Sequence, residues 1–406
     1  MKPIAVTGMG AVSAWGWSVE SLRQGMAAGR TGIAPARTLD TSGQRTHCAA
    51  EVPPPPPDLC DRFGGWRHLS RSDRFAVAAA LEACLEAAID VAHDRAGVFF
   101  GGSTAGMLEC EDYVARLIEI KPERPHLRLL ASQQINGPGD AVARHLRVAG
   151  PVETVSSACA SGGLAIAAAL EALRDGAIDV AIAGGADALC RLTYSGFNSL
   201  RSVDEQPCRP FRADRAGLSI GEGAAALILE RLDDALARDA RPLALLLGAG
   251  ASCDAHHMTA PHPEGEGAAL AIRRALADAE IEGAEVAFVN AHGTGTPHND
   301  VSEARAIAAV FGSRAPTVPV TAPKAAIGHL LGSSGAIEAV ATVLALLDGA
   351  AQPTAGSGSA DSELAVDLVL GEPRPLTGDV GISTSFAFGG ANAVLVFASF
   401  PRRSRT

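Results

Sequence analysis

The 406-residue chain holds only three lysines, Lys2, Lys121 and Lys324, only 4% aromatic residues, and no excess of positive charge, its formal net charge being −11. The acidic balance excludes a nucleic-acid-binding class, which relies on clustered cations. Long uninterrupted apolar runs are also missing: stretches such as Leu164 to Leu173 are Ala-rich and broken by Glu171. Met1-Lys2-Pro3 leads directly into a strand-like run, with no secretory n-region. Neither a membrane span nor a leader is expected, and a cytoplasmic location follows. The eight cysteines, at 48, 60, 84, 110, 159, 190, 208 and 253, include no Cys-x-x-Cys pair and no zinc-like spacing. A disulfide framework and a metal site are therefore not implied.

What is present is a 47% hydrophobic chain, long enough for one large domain or two fused halves. Short β-branched runs alternate with Ala-rich helical runs, the pattern of an α/β protein. One series of strands comprises Ile4 to Thr7, Gly97 to Phe100, Val152 to Val155, Val180 to Ala183 and Ala225 to Leu229. A second comprises Leu243 to Leu247, Val286 to Val289, Val318 to Val320, Gly381 to Ser383 and Val394 to Phe397. Two similar sets predict a duplicated architecture, residues 1–240 and 241–406. Five prolines, 53 to 57, read as a polyproline-like surface connection.

Cys159 sits among small residues, Ser156-Ser157-Ala158-Cys159-Ala160-Ser161-Gly162-Gly163, before a helix read over Leu164 to Asp175 with Gly176 as its stop. A helix N-terminus lowers a thiol's pKa, and a turn this tight can aim the Cys159 amide at an oxyanion. The alternative is a buried structural cysteine. His292 lies just past a strand in Asn-Ala-His-Gly-Thr-Gly-Thr, with hydroxyls from Thr294 and Thr296. His329 follows Lys324 by five residues, before a helix that carries Glu338 within hydrogen-bonding reach of a neighbouring histidine or lysine. A nucleophilic thiol with two imidazole donors is equipment for acyl transfer followed by carbon–carbon bond formation, the imidazoles stabilising an enolate left by decarboxylation. Ser385-Phe386-Ala387-Phe388-Gly389-Gly390-Ala391-Asn392 adds a glycine turn, a further backbone amide and two aromatics to exclude water.

From Val6-Thr7-Gly8-Met9-Gly10 to Phe388-Gly389-Gly390-Ala391-Asn392, these motifs resemble the β-ketoacyl-acyl-carrier-protein synthase family, the elongating condensing enzymes of the thiolase superfamily. The resemblance implies a five-layered α/β/α/β/α thiolase-like fold, dimerisation, acyl carrier protein as partner, and no cofactor beyond the carrier's phosphopantetheine. It implies that Cys159 is acylated, that His292 and His329 support decarboxylation, that Lys324 orients His329, and that Phe388 gates the acyl pocket and completes the oxyanion hole. His257, within Asp254 to Thr259, falls in a second gating loop. Arg67, Arg71 and Arg201 match positions where the family docks its carrier.

Two departures stand out. Ala387 and Ala391 replace Gly and Thr of the closing Gly-Phe-Gly-Gly-Thr-Asn motif, and Leu130 to Asn136 is polar for a pocket serving a saturated chain. The second adds, as the alternative to fatty acid or related biosynthesis, a specialised polyene or polyketide pathway; the dimer implied is a homodimer or a heterodimer with a chain-length-factor subunit. A thiolase is disfavoured because no cysteine follows Cys253. A non-catalytic chain-length factor is disfavoured by Cys159 and the histidine pair, and a dinucleotide-binding enzyme by Ser13 at the third position of the glycine motif.

Overall fold

The computed structural model describes residues 3–57, 59, 65–119 and 127–401; Lys2, Cys60 and Lys121 lie outside them. Ten strands form the frame: β1 (Ile4–Val12), β2 (Ala96–Gly101), β3 (Val152–Val155), β4 (Val180–Asp187), β5 (Gly223–Arg231), β6 (Ala244–Cys253), β7 (Val286–Asn290), β8 (Pro319–Thr321), β9 (Val380–Phe386) and β10 (Ala391–Ser399). Outward from the centre, one half runs β1-β5-β4-β2-β3 and the other β6-β10-β9-β7-β8. In each half the spatial order is first, fifth, fourth, second and third strand. The directions repeat as well: antiparallel for the two inner pairings and parallel for the two outer ones. The halves meet where Ile4 to Val6 pairs antiparallel with Ala244 to Leu246.

Alternation along the strands builds the layers. Val98 and Phe100 face an outer pair of helices, α1 (Arg71–Ala87) and α2 (Gly137–Leu146), whereas Phe99 points to the middle of the molecule. There α3 (Ser161–Arg174) packs against the later helix Ser334–Asp348 between the two sheets. On the far side α4 (Glu266–Ala279) and α5 (Pro297–Phe311) cover the second sheet. Helix Ser334–Asp348, α6, is apolar around most of its circumference, as a helix buried on all sides must be. Its segment Leu331–Asp348 has the length and hydropathy of a membrane span, yet 89% of it is buried inside the protein. Gly10 explains the early glycine motif differently from nucleotide binding: a Cβ there would lie 1.8 Å from the Ala79 carbonyl of α1. The glycines let a helix close on the strand.

Candidate active site

Cys159 lies in the turn between β3 and α3. Ala158 before it holds a left-handed φ of 46°, which costs about 1–2 kcal/mol in a residue with a Cβ. Buried Ser161 secures the turn: its Oγ accepts the Ser157 N–H at 2.8 Å and donates to the Ala158 carbonyl at 2.6 Å. The backbone N–H groups of Phe388 and of Cys159 itself reach the sulfur, the arrangement an oxyanion hole needs. The expected acidification does not win. Burial pushes the thiol up to about 11, against the weaker opposing pull of Lys324 and the Phe388 amide, because desolvating a thiolate costs more than these groups return.

His292 follows β7. Its N–H donates to Glu303 Oε1 at 2.8 Å and Thr384 Oγ1 at 2.9 Å, and the Gly293 N–H donates to Glu303 Oε2 at 2.8 Å. Lys324 Nζ reaches the His292 carbonyl at 2.6 Å, His292 Nδ1 at 3.1 Å, and Glu338 Oε1. Three donors meet three acceptors. This corrects the expectation that Lys324 orients His329: the lysine holds the other histidine. His329 Nδ1 instead accepts from the Leu331 N–H at 3.0 Å and contacts Ser334 Oγ at 2.9 Å. Its backbone is clamped to the first half, donating to the Ser219 carbonyl at 2.7 Å and accepting from Gly221 at 2.8 Å.

The two rings lie 5.5 Å apart at 88°. Both imidazoles titrate well below the ordinary range, chiefly through burial and then through Lys324. Each is neutral, and with Nδ1 accepting, the hydrogen is assigned to Nε2. Burial also lifts the Glu338 carboxyl above the usual range, opposed by Lys324.

Cys159, His292 and His329 line one cavity of about 290 Å3, together with Thr294, Thr296, Phe386 and Phe388. Phe386 stands 5.9 Å from the His292 ring, and Phe388 lies 5.6 Å from Phe197. Ala387 keeps a negative φ, while Gly389 and Gly390 take the left-handed positions at 85° and 81°; the alanine therefore adds no backbone strain. The second loop is latched to this turn by Gly389 N–H to the Met258 carbonyl and Asp254 N–H to the Gly390 carbonyl, both 2.8 Å.

Other expected residues fall elsewhere. His257 is exposed and does not line the cavity; its Nδ1 accepts the N–H groups of Thr259 and Ala260 at 3.1 Å, shaping a loop whose Asp254 and Thr259 do line it. Arg71 is no surface dock. Its guanidinium pairs bidentately with fully buried Glu222, Nε to Oε2 at 2.7 Å, and donates to the Val52 carbonyl. Arg67 and Arg201 are exposed, the latter in a groove with Arg45. Gln133 and Gln134 lie on the surface, so the polar stretch before Cys159 does not line the cavity within this chain.

Sequence reasoning missed Glu303, Thr384 and Ser334. For Glu303 the signal was present: it shares a stripe of α5 with Ile307 and Phe311, four and eight residues on, where a lone carboxylate needs partners.

Comparison with known proteins agrees along the whole chain. The family model for the beta-ketoacyl synthase N-terminal domain matches residues 1–235, and that for the C-terminal domain matches 243–357. The 3-oxoacyl-[acyl-carrier-protein] synthase 2 of Synechocystis sp. is 37% identical over 98% of each chain. Among solved structures, the ishigamide ketosynthase/chain length factor superposes with a TM-score of 0.93 at 34% identity, covering 98% of this chain and 100% of its own. The AntDE:AntF complex, a type II PKS acyl-carrier protein with its ketosynthase bound to the hexaketide, gives 0.91 at 27%, with coverage of 98% and 100%. With the two domains of one family laid end to end along it, the chain belongs to the β-ketoacyl synthase family.

Proposed function

We propose that the chain is a condensing acyltransferase, a 3-oxoacyl-[acyl-carrier-protein] synthase of fatty acid or polyketide synthesis, with Cys159 as nucleophile. The Cys159 sulfur attacks the carbonyl of a carrier-bound acyl thioester. A new C–S bond forms, the carrier's thiol leaves with the cysteine's proton, and the amides of Cys159 and Phe388 hold the oxyanion. Malonyl carrier then loses carbon dioxide. The electron pair of the broken C–C bond becomes an enolate whose oxygen accepts from His292 Nε2–H and His329 Nε2–H, and its carbon attacks the acyl group. The C–C bond forms, the C–S bond breaks, and the departing thiolate takes a proton from water. The observation that carries this reading is the single cavity shared by one thiol and two neutral, Nδ1-anchored imidazoles.

No cofactor enters; both substrates arrive on phosphopantetheine, past Thr294 and Thr296. Acyl carrier protein is the partner, approaching over Arg67 and Arg201. The free thiols among the described residues suit a reducing cytoplasm.

The chain works as a dimer. Strand β3 is an open sheet edge, and helix Met107–Ile118 buries none of its residues, leaving Val114, Leu117 and Ile118 exposed. A chain-length-factor subunit is the favoured partner, supported by the likeness to the ishigamide pair and by the polar segment around Gln133 and Gln134. Incubation with acyl carrier followed by intact-mass measurement tests the reading: wild type gains one acyl adduct and Cys159→Ala none, whereas Cys159→Gln decarboxylates malonyl carrier without condensing. Full condensation by either variant would contradict it.

A further inference from the structure

At the end of β4 the fully buried carboxylate of Asp187 gathers donors from two separate segments, Ser103–Thr104 and Gly332. Oδ1 accepts the Ser103 N–H at 2.9 Å, the Thr104 N–H at 2.7 Å and Thr104 Oγ1 at 2.8 Å. Oδ2 accepts the Ser103 N–H at 3.0 Å, Ser103 Oγ at 2.8 Å and the Gly332 N–H at 2.6 Å. Gly332 stands between the two residues that fix the His329 ring, Leu331 through its N–H and Ser334 through its hydroxyl. The junction has no slack. A Cβ at Gly332 would lie 2.7 Å from Asp187 Oδ2 and 2.8 Å from the Gly102 carbonyl carbon, and one at Gly101 would lie 2.3 Å from the Gly162 nitrogen in the nucleophile's helix. So dense a set of charge-assisted bonds to a buried carboxylate holds its partners firmly.

The geometry points to Asp187 as a positioning residue that sets the His329 imidazole for decarboxylation by anchoring the Leu331–Ser334 turn against the Ser103–Thr104 loop. The inference rests on the condensing reading above. It separates the two half-reactions, because the Cys159 turn has its own anchor in Ser161 and donates nothing to Asp187. Loss of the carboxylate loosens the imidazole while leaving the sulfur's oxyanion donors in place. Asparagine keeps the size but turns an NH2 group toward N–H and O–H donors.

The test measures malonyl-carrier decarboxylation in a Cys159→Gln background and acylation in the Cys159 protein. With Asp187→Asn, kcat for decarboxylation falls roughly tenfold or more, the scale of losing a positioned group. KM for malonyl carrier and the acylation rate stay within about twofold. Ser103→Ala, which removes one hydroxyl from the same carboxylate, gives a smaller loss of the same kind and serves if Asp187→Asn does not fold. Equal loss of both half-reactions, or loss of neither, in the folded variant overturns the positioning role. Failure of the parent proteins to be acylated and to decarboxylate would instead overturn the condensing reading.

Discussion

Lys324 Nζ lies 2.6 Å from the carbonyl of His292, a residue 32 positions away, and 3.1 Å from its ring, while sharing a buried ion pair with Glu338. Position and charge are thus served by one side chain. Lys324→Met leaves the Glu338 carboxyl buried and unpaired, which destabilises by about 3–5 kcal/mol. Lys324→Met combined with Glu338→Leu regains most of that stability and none of the condensation, because the His292 ring Nδ1 and carbonyl have still lost their donor. Denaturant unfolding and a condensation assay on both variants check this; recovery of activity in the double variant refutes it.

The Cys159 thiol, pushed up to about 11 by burial, holds roughly a hundredfold less thiolate near neutrality than a thiol left at 9. Iodoacetamide at pH 7.5 therefore modifies exposed Cys253 first. In Cys253→Ser protein the rate at Cys159 climbs about tenfold per pH unit toward pH 11. A rate that levels off between pH 7 and 8 would mean the helix terminus and Lys324 outweigh burial after all.

Both active-site imidazoles are held below their ordinary titration range by burial and by Lys324. The unfolded chain binds protons at these residues below about pH 6.5 while the native state does not, so they subtract stability as pH falls through that value. Imidazole NMR signals of His292 and His329 stay at neutral-ring positions, with the hydrogen on Nε2, from pH 8 to pH 6. A shift centred near 6.5 is the contrary result.

Carrier docking separates the three arginines. Arg67→Glu and Arg201→Glu raise KM for the acyl carrier, more so at low salt, and leave the melting temperature unchanged, as reversal of exposed charges does. Arg71→Ala lowers the melting temperature, because it strands Glu222 without its partner inside the protein. Equal effects of all three on KM alone would restore Arg71 to the docking set.

The architecture was legible because the strands carry short runs of Val, Ile, Leu or Phe between Ala-rich helical stretches, and the two series repeat in order. The meeting of Cys159, His292 and His329 in one cavity was legible because each stands in a small-residue turn, Cys159 and His292 just past a strand and His329 between a strand and a helix. Lys324's true partner was not. Five residues separate it from His329 and 32 from His292, yet the parallel pairing of β8 with β7 brings Thr321 beside Asn290 and so the lysine beside His292. Asp187 was hidden for the same reason: its donors come from 84 residues upstream and 145 downstream, a closeness that only the folded sheets create. His257, Arg71 and the glutamines misled because motif position fixes neither burial nor direction.

Helix α1 closes on β1 through the glycines, and partly buried Glu82 and exposed Glu86 reach from the helix to the strand's backbone. Glu82 accepts the N–H groups of Ala11 at 3.0 Å and Val19 at 2.9 Å, and Glu86 accepts that of Met9 at 2.7 Å. Burial lifts the Glu82 carboxyl to about 7 from 4.5, Glu86 adding to the rise and the two backbone donors opposing it. The native state thus keeps a proton that the unfolded chain has released. Its stabilising share is full below about pH 4.5 and is lost as pH rises to about 7. Glu82→Gln removes the titration, leaving a neutral side chain at every pH, although its NH2 must face one of the two backbone donors. Relative to that variant the wild type loses on the order of 1–2 kcal/mol between pH 5 and pH 7.5, after allowance for the part of the carboxyl that water reaches. Parallel urea titrations of the two proteins at both pH values give the difference directly. A gap that stays constant, or that widens in favour of the wild type at the higher pH, would place a charged, well-solvated carboxylate at this strand.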